Sequence, residues 1–285
     1  MKNIRIVTDS TADIPLAIRQ ELNIEMVPLK IHFGQDEYLD TVTLQSDQFY
    51  EILKTSSHFP KTSQPSPAEF LELYQKLLEE PDTEVISIHL SSALSGTYQS
   101  ALLASTMLEA NDGKVHVVDS RSASYGIGAL VVAAAEAARA GQSVEQILQL
   151  VQKVRENYYI YFLVDTLEFL QKGGRIGKAS ALFGALLNIK PILSIDAEGE
   201  VAATDKVRGH KKAIARILEL LGADLSGRGI HTLHIAHANN LEGAEQLRVS
   251  IMQHFAVQHV DYITLGPVIG AHAGPGTIAA FVGTV

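Results

Sequence analysis

Ile4-Arg5-Ile6-Val7-Thr8-Asp9-Ser10-Thr11 is the stretch that decides the fold: a short apolar run ended by a carboxylate and two hydroxyls. Such a run reads as a buried parallel strand leading into a polar loop. The pattern returns at Val85 to Leu90 and at Val115 to Val118, each time ending in hydroxyl or carboxylate residues. Helical segments with readable starts lie between and beyond them. Ser66-Pro67-Ala68-Glu69 offers an N-cap, a proline at the first helical position and the glutamate of a capping box, and Ser143 with Gln146 repeats the device. Alternating strand and helix predict a doubly wound parallel sheet. Its ligand belongs beyond the carboxyl ends of the strands, where the loops Asp9 to Asp13, Ser91 to Thr97 and Asp119 to Ser124 gather.

The second half reads differently. Tyr159 to Val164, Ile189 to Ile195 and Val201 to Lys206 are strands, and Asp196-Ala197-Glu198-Gly199 turns the last two into a hairpin, which implies a mixed sheet. Helices are expected over Ala213 to Leu221 and Leu241 to His254, with strands at His231 to Ala236 and Tyr262 to Leu265. The 285 residues exceed what one hydrophobic core comfortably serves, so an α/β chain of two domains is expected, 1–160 and 161–285.

Composition narrows the function. Apolar residues make up 46% and charged ones 19%, enough for a substantial core and too apolar for disorder. A net charge of −9 without a basic cluster opposes a grip on nucleic acid or an anionic membrane. The absence of cysteine removes disulfides, thiol nucleophiles and thiolate metal sites, and the N-terminus shows no signal-peptide core, so a cytoplasmic address is expected. Ile127 to Ala135 is apolar but interrupted by Glu136 and Arg139, short of a membrane span, and reads as a buried helix.

Several segments bear on chemistry. Ser91-Ser92-Ala93-Leu94-Ser95-Gly96-Thr97 follows a strand and opens a helix. It serves equally as an anion cradle of free amides with the Ser95 hydroxyl, or as an ordinary helix cap. A serine hydrolase would place a nucleophile on such a turn, yet G-x-S-x-G fails because Ala93 stands two before Ser95. Lys172-Gly173-Gly174-Arg175-Ile176-Gly177-Lys178 misses the Walker pattern at Lys172 and Ala179, leaving a softened loop that presents Arg175, suited to a carboxylate or phosphate. The segment Gly266 to Thr277 packs glycines and prolines around His272, which singles that histidine out. His231, His234 and His237 fall on alternating faces of a strand, and no metal site is expected. Thr62 and Ser63, in a hydroxyl-rich loop, are not used as caps. The apolar stretch Ala179 to Leu187 suits either a ligand slot or plain core.

Read in series, Val7 to Asp13, Thr62-Ser63-Gln64-Pro65-Ser66, Ser91 to Thr97, Val164-Asp165-Thr166-Leu167, Gly173-Gly174-Arg175 and Gly270 to Gly276 resemble the DegV family, in family order and over nearly the whole chain. The resemblance implies a two-domain α/β protein that buries a long-chain fatty acid between its domains. It also implies a non-catalytic role, as the lipid-binding subunit of a bacterial fatty acid kinase serving phospholipid synthesis, with no cofactor of its own. Carried over by position, Thr62 and Ser95 hydrogen-bond the carboxylate, Ser63 and the Gly96 amide lie nearby, and Arg175 and His272 balance its charge. A separate ATP-dependent kinase chain would phosphorylate the carboxylate to an acyl phosphate. The alternatives are a serine esterase or acyl-transfer enzyme using Ser95 and His272, and a binder of phosphorylated metabolites at the same helix start.

Overall fold

The structure is a computed structural model describing residues 3–108, 113–184 and 189–284. Its elements, in chain order, begin with β1 (Asn3–Asp9), α1 (Leu16–Glu21), β2 (Glu25–Val27), β3 (Lys30–Phe33), β4 (Asp36–Leu39), α2 (Ser46–Thr55), β5 (Lys61–Ser63) and α3 (Pro67–Leu78). They continue with β6 (Thr83–His89), α4 (Thr97–Thr106), β7 (Val115–Asp119), α5 (Tyr125–Arg139), α6 (Val144–Glu156), β8 (Tyr158–Leu163) and α7 (Glu168–Lys172). The rest are β9 (Ile189–Ile195), β10 (Val201–Arg208), α8 (His210–Leu225), β11 (Ile230–His237), α9 (Leu241–His254), β12 (Val257–Thr264), α10 (Pro267–Ala273) and β13 (Ile278–Gly283).

The N-terminal part carries a parallel sheet in the order β2-β1-β6-β7, and the C-terminal part a mixed sheet in the order β10-β9-β8-β13-β11-β12. The expected α/β class and the parallel-then-mixed division are therefore observed. β1 and β6 carry apolar residues on both faces, Ile6, Ile86 and Ile88 against α5 and Val7 and Val85 against α3 and α4, the environment of a parallel strand. Both expected capping boxes form: Ser66 accepts from the Glu69 amide while Glu69 reaches back, and Ser143 does the same with Gln146. The hairpin of β9 and β10 closes on Asp196–Gly199, with Gly199 at φ 82° where only glycine is free of strain.

Two segments differ from the sequence reading. Thr62 and Ser63, expected in a loop, sit in β5, which pairs β3 antiparallel with Ile31 opposite Thr62. With β4 these strands make a small third sheet. The glycine-rich segment around His272 contains helix α10, begun by Pro267 at its first turn. Strand β12 starts at Val257, earlier than Tyr262, because it lies at a sheet edge where its exposed polar residues hide the apolar alternation.

One large apolar cluster runs from the helices of the N-terminal part (Ile127, Leu130) through α10 (Val268, Ala271) to the face of the mixed sheet (Phe162, Phe281). A second cluster fills the opposite face of that sheet beneath α8 and α9. The first joins the two sheets, and its residues line a cavity between them.

Candidate functional site

The loops at the carboxyl ends of the parallel strands do gather. Ser92 donates from its amide and hydroxyl to Asp119, Ser91 N–H donates to the Ser122 carbonyl, and Ser124 Oγ donates to Asp13 at 2.5 Å. The Ser91 hydroxyl donates to the Gly199 carbonyl at 2.8 Å, which seats the β9–β10 hairpin turn on the same loops.

Beneath this seam is a cavity of about 300 Å³. One end is polar. Thr62 on β5, Ser95 before α4, Arg175 after α7 and His272 in the last turn of α10 all line it. Thr62 Oγ1 lies 2.8 Å from His272 Nε2. Arg175 donates from Nε to the Leu94 carbonyl at 2.9 Å and from Nη1 to the Gly173 carbonyl at 2.7 Å, and so bridges the Ser95 loop and the loop beside His272. Gly173 passes so near the imidazole that a Cβ there would lie 2.3 Å from His272 Nδ1, which is why the chain needs glycine at that point.

The electrostatics follow from burial. Desolvation, reinforced by the Arg175 cation, pushes His272 down to about 4, so its ring is neutral at physiological pH. In that state the ring offers one N–H and one acceptor nitrogen, and Arg175 is the cation lining this end of the cavity. His272 Nδ1 is buried with no partner among the described residues.

The remaining expected residues are close by. Ser63 lines the cavity and holds His32 Nε2 at 3.1 Å. Gly96 stands at the start of α4 but does not line the cavity. The Gln64 amide covers it, 2.5 Å from where a Cβ would be, and Gln64 takes a place in the lining instead. Sequence reasoning passed over Gln64 and Ser124 because neither residue type signals chemistry alone. Beyond the polar end the walls are apolar, including Leu29, Leu90, Phe162, Val268 and Phe281. Of the stretch Ala179 to Leu187, residues 185–187 lie outside the described residues and none of the others lines the cavity.

An esterase would need Ser95 bonded to an imidazole that a carboxylate orients. Ser95 Oγ instead pairs with Thr97 Oγ1 at 2.9 Å, and His272 is engaged by Thr62 without an acidic partner. The arrangement can hold an anion at one end of an apolar slot. Among the described residues no three His, Asp or Glu side chains converge as a metal would require, and no helix is long and apolar enough to cross a membrane.

The buried network that sequence did not reveal lies outside the cavity. Asp9 accepts from His89 Nδ1 at 3.0 Å, from the Leu90 amide and from Thr11, while His89 Nε2 meets Ser87 Oγ at 2.6 Å and Tyr74 donates to Ser87. Burial alone would raise the Asp9 carboxyl, but the His89 hydrogen bond and charge hold it below its ordinary value.

Comparison with known proteins gives one answer. The sequence model of the DegV family, described as uncharacterised proteins, matches residues 3–284. A DegV domain-containing protein of Deinococcus radiodurans is 42% identical over 278 residues, 97% of this chain and 96% of that one. The solved structure of fatty acid binding by a DegV family protein from Thermus thermophilus aligns with a TM-score of 0.93 at 38% identity, covering 99% of this chain and all of that one. The crystal structure of DegV from Bacillus subtilis, a fatty acid binding protein, aligns with a TM-score of 0.87 at 35% identity over 99% of this chain.

Proposed function

The chain belongs to the DegV family, and from that membership and the geometry of the slot we propose that it binds one long-chain fatty acid. The carboxylate is held by Thr62, Ser95, Arg175 and His272, with Ser63 and the Gly96 amide nearby. The observation that carries this reading is the pairing of a single polar, cationic end with an otherwise apolar slot of about 300 Å³. Transferring a C16 tail at about 0.8 kcal/mol per CH₂ provides roughly 12 kcal/mol of gross driving force, before ordering costs. A carboxylate is costly to bury unless hydrogen-bonded and partly neutralised, the task that two hydroxyls, an imidazole N–H and a guanidinium suit.

In this reading the protein is a non-catalytic subunit. It presents the carboxylate to a separate ATP-dependent kinase chain, which makes the acyl phosphate, and it works in the cytoplasm without a cofactor of its own. Two units meeting near residue 160 enclose the ligand, a division supported by a parallel sheet ending at Asp119 and a mixed sheet beginning at Tyr158. The test is reconstitution with the kinase and ATP. Acyl phosphate should form with the wild type and fall steeply with Ser95→Ala and Thr62→Ala; transfer by both variants at the wild-type rate would overturn the site.

A further inference from the structure

A row of three side chains forms part of the slot's wall. β13 pairs β8 with Phe281 opposite Ile160. β8 meets β9 at Phe162 opposite Leu193, and Ile160 and Ile195 lie two residues beyond that pair on their strands, on the same face. Residues opposite one another share a face, so Ile195, Ile160 and Phe281 form one row across three strands, and all three line the slot.

Behind the row is a second cavity of about 370 Å³, and Ile160 and Ile195 line it as well. Its other walls include Tyr159, Tyr161 and Ser194, which alternate with the isoleucines and so belong to the opposite face of the sheet. A cavity walled by both faces of two neighbouring strands passes between them. The ladders explain how: β8 and β13 pair from Leu163↔Ile278 to Tyr158↔Gly283, whereas β8 and β9 pair at Phe162↔Leu193 alone. The β8–β9 seam is open at its end, and two isoleucine side chains close it.

The two spaces differ in chemistry. Beside the row the slot is walled by Phe162, Ala279 and Val201, while the second cavity is lined by Arg121, Arg155, Asp224 and Glu156. The row also stands where an acyl tail arrives. The Thr277 hydroxyl bonds the Ala273 carbonyl at 2.9 Å, so β13 begins beside His272 and the polar end. Phe281 is four residues further, about 13 Å along a strand. Ile160 is seated from the other side by Gly126 in α5, where a Cβ would come within 2.7 Å of Ile160 Cδ1.

We propose that Ile160 and Ile195 set the longest acyl chain this protein accepts, by closing the slot against the polar cavity behind it. The proposal rests on the fatty acid reading above. A tail that fits stops at the isoleucines, and a longer one must displace them and enter a polar space. Truncating either side chain joins the two cavities and gives the extra methylenes room.

The test gives delipidated protein an equimolar mixture of saturated fatty acids from C14 to C24 and reads the bound species by native mass spectrometry. The wild type should show a cutoff. Ile160→Ala and Ile195→Ala should move it to longer acids, enriching each by about tenfold per two added methylenes accommodated. Ile160→Phe should move it to shorter ones. Ile160→Val guards against an unfolded alanine variant and should give a smaller shift to longer acids. An unchanged cutoff in the folded variants overturns the partition. A wild type that takes up none of the acids refutes the carrier reading and this inference with it, which keeps the two failures distinct.

Discussion

Thr62 Oγ1 stands 2.8 Å from His272 Nε2, joining the edge of a small N-terminal sheet to a helix 210 residues later. With His272 kept neutral by burial and by Arg175, its ring and the threonine hydroxyl share one proton between two acceptors. In the proposed complex this pair turns hydrogen toward the fatty acid carboxylate.

Thr62→Ala removes that hydroxyl. A hydrogen bond to a charged group contributes about 1.5–3 kcal/mol, so fatty acid affinity should fall by roughly 10-fold to 100-fold, measured by titration calorimetry. Thr62→Ser, which keeps the hydroxyl, should retain most of it. Equal affinity for all three proteins would remove Thr62 from the site.

Arg175 supplies the cation and also ties the Leu94 and Gly173 carbonyls together. Arg175→Lys keeps the charge but not the planar fork, and Arg175→Ala loses both. Binding should weaken in the order wild type, Lys, Ala, and salt should weaken the wild type more than the alanine variant. An alanine variant with the wild-type salt response would contradict the charge-balancing role.

Asp9 and His89 are both fully buried, and the carboxylate accepts bonds from β6 and from its own turn. Asp9→Ala strands the His89 imidazole, and the removal of one partner from such a pair costs about 3–5 kcal/mol. The midpoint of urea unfolding reports the loss. A change below about 1 kcal/mol would show that the network is dispensable.

Asp40 gives the opposite pH signature. Burial pushes it up to about 7 from 3.8, and the Asp13 carboxyl beside it is raised as well. The folded chain therefore keeps a proton over a range in which the unfolded chain has lost it. The stability this confers is full below 3.8 and is lost as pH rises toward 7. Over that range Asp40 lowers the urea midpoint as pH rises, while His272 and His234, held down at about 4 by burial, raise it between about 4 and 6.5. Asp40→Asn, which still accepts from the Val268 amide, should remove the Asp40 part, so that the variant's midpoint gains on the wild type's as pH rises from 4 to 8. A slope that the substitution leaves unaltered would assign the effect elsewhere.

Much of this was legible in the sequence, for identifiable reasons. The runs at Ile4, Val85 and Val115 are mostly apolar because their strands lie in a parallel sheet between helices, and Ser66 and Ser143 mark helix starts by capping chemistry that is local. Thr62, Ser95, Arg175 and His272 could each be picked out on a loop, but only the family resemblance joined them into one expected site. What brings them together is long-range: β5 pairs β3, and α10 packs against α7, α2, β3 and β5. The neutral state of His272 and the closing of the β8–β9 seam by Ile160 and Ile195 depend on burial and strand divergence, which no spacing of residues encodes.

The central claim is that the slot holds a fatty acid, and native mass spectrometry of the purified protein, followed by organic extraction, tests it most directly. The account predicts one bound C14 to C18 fatty acid per chain, released on extraction and regained on incubation with the free acid. A chain that carries none and takes up none would contradict it.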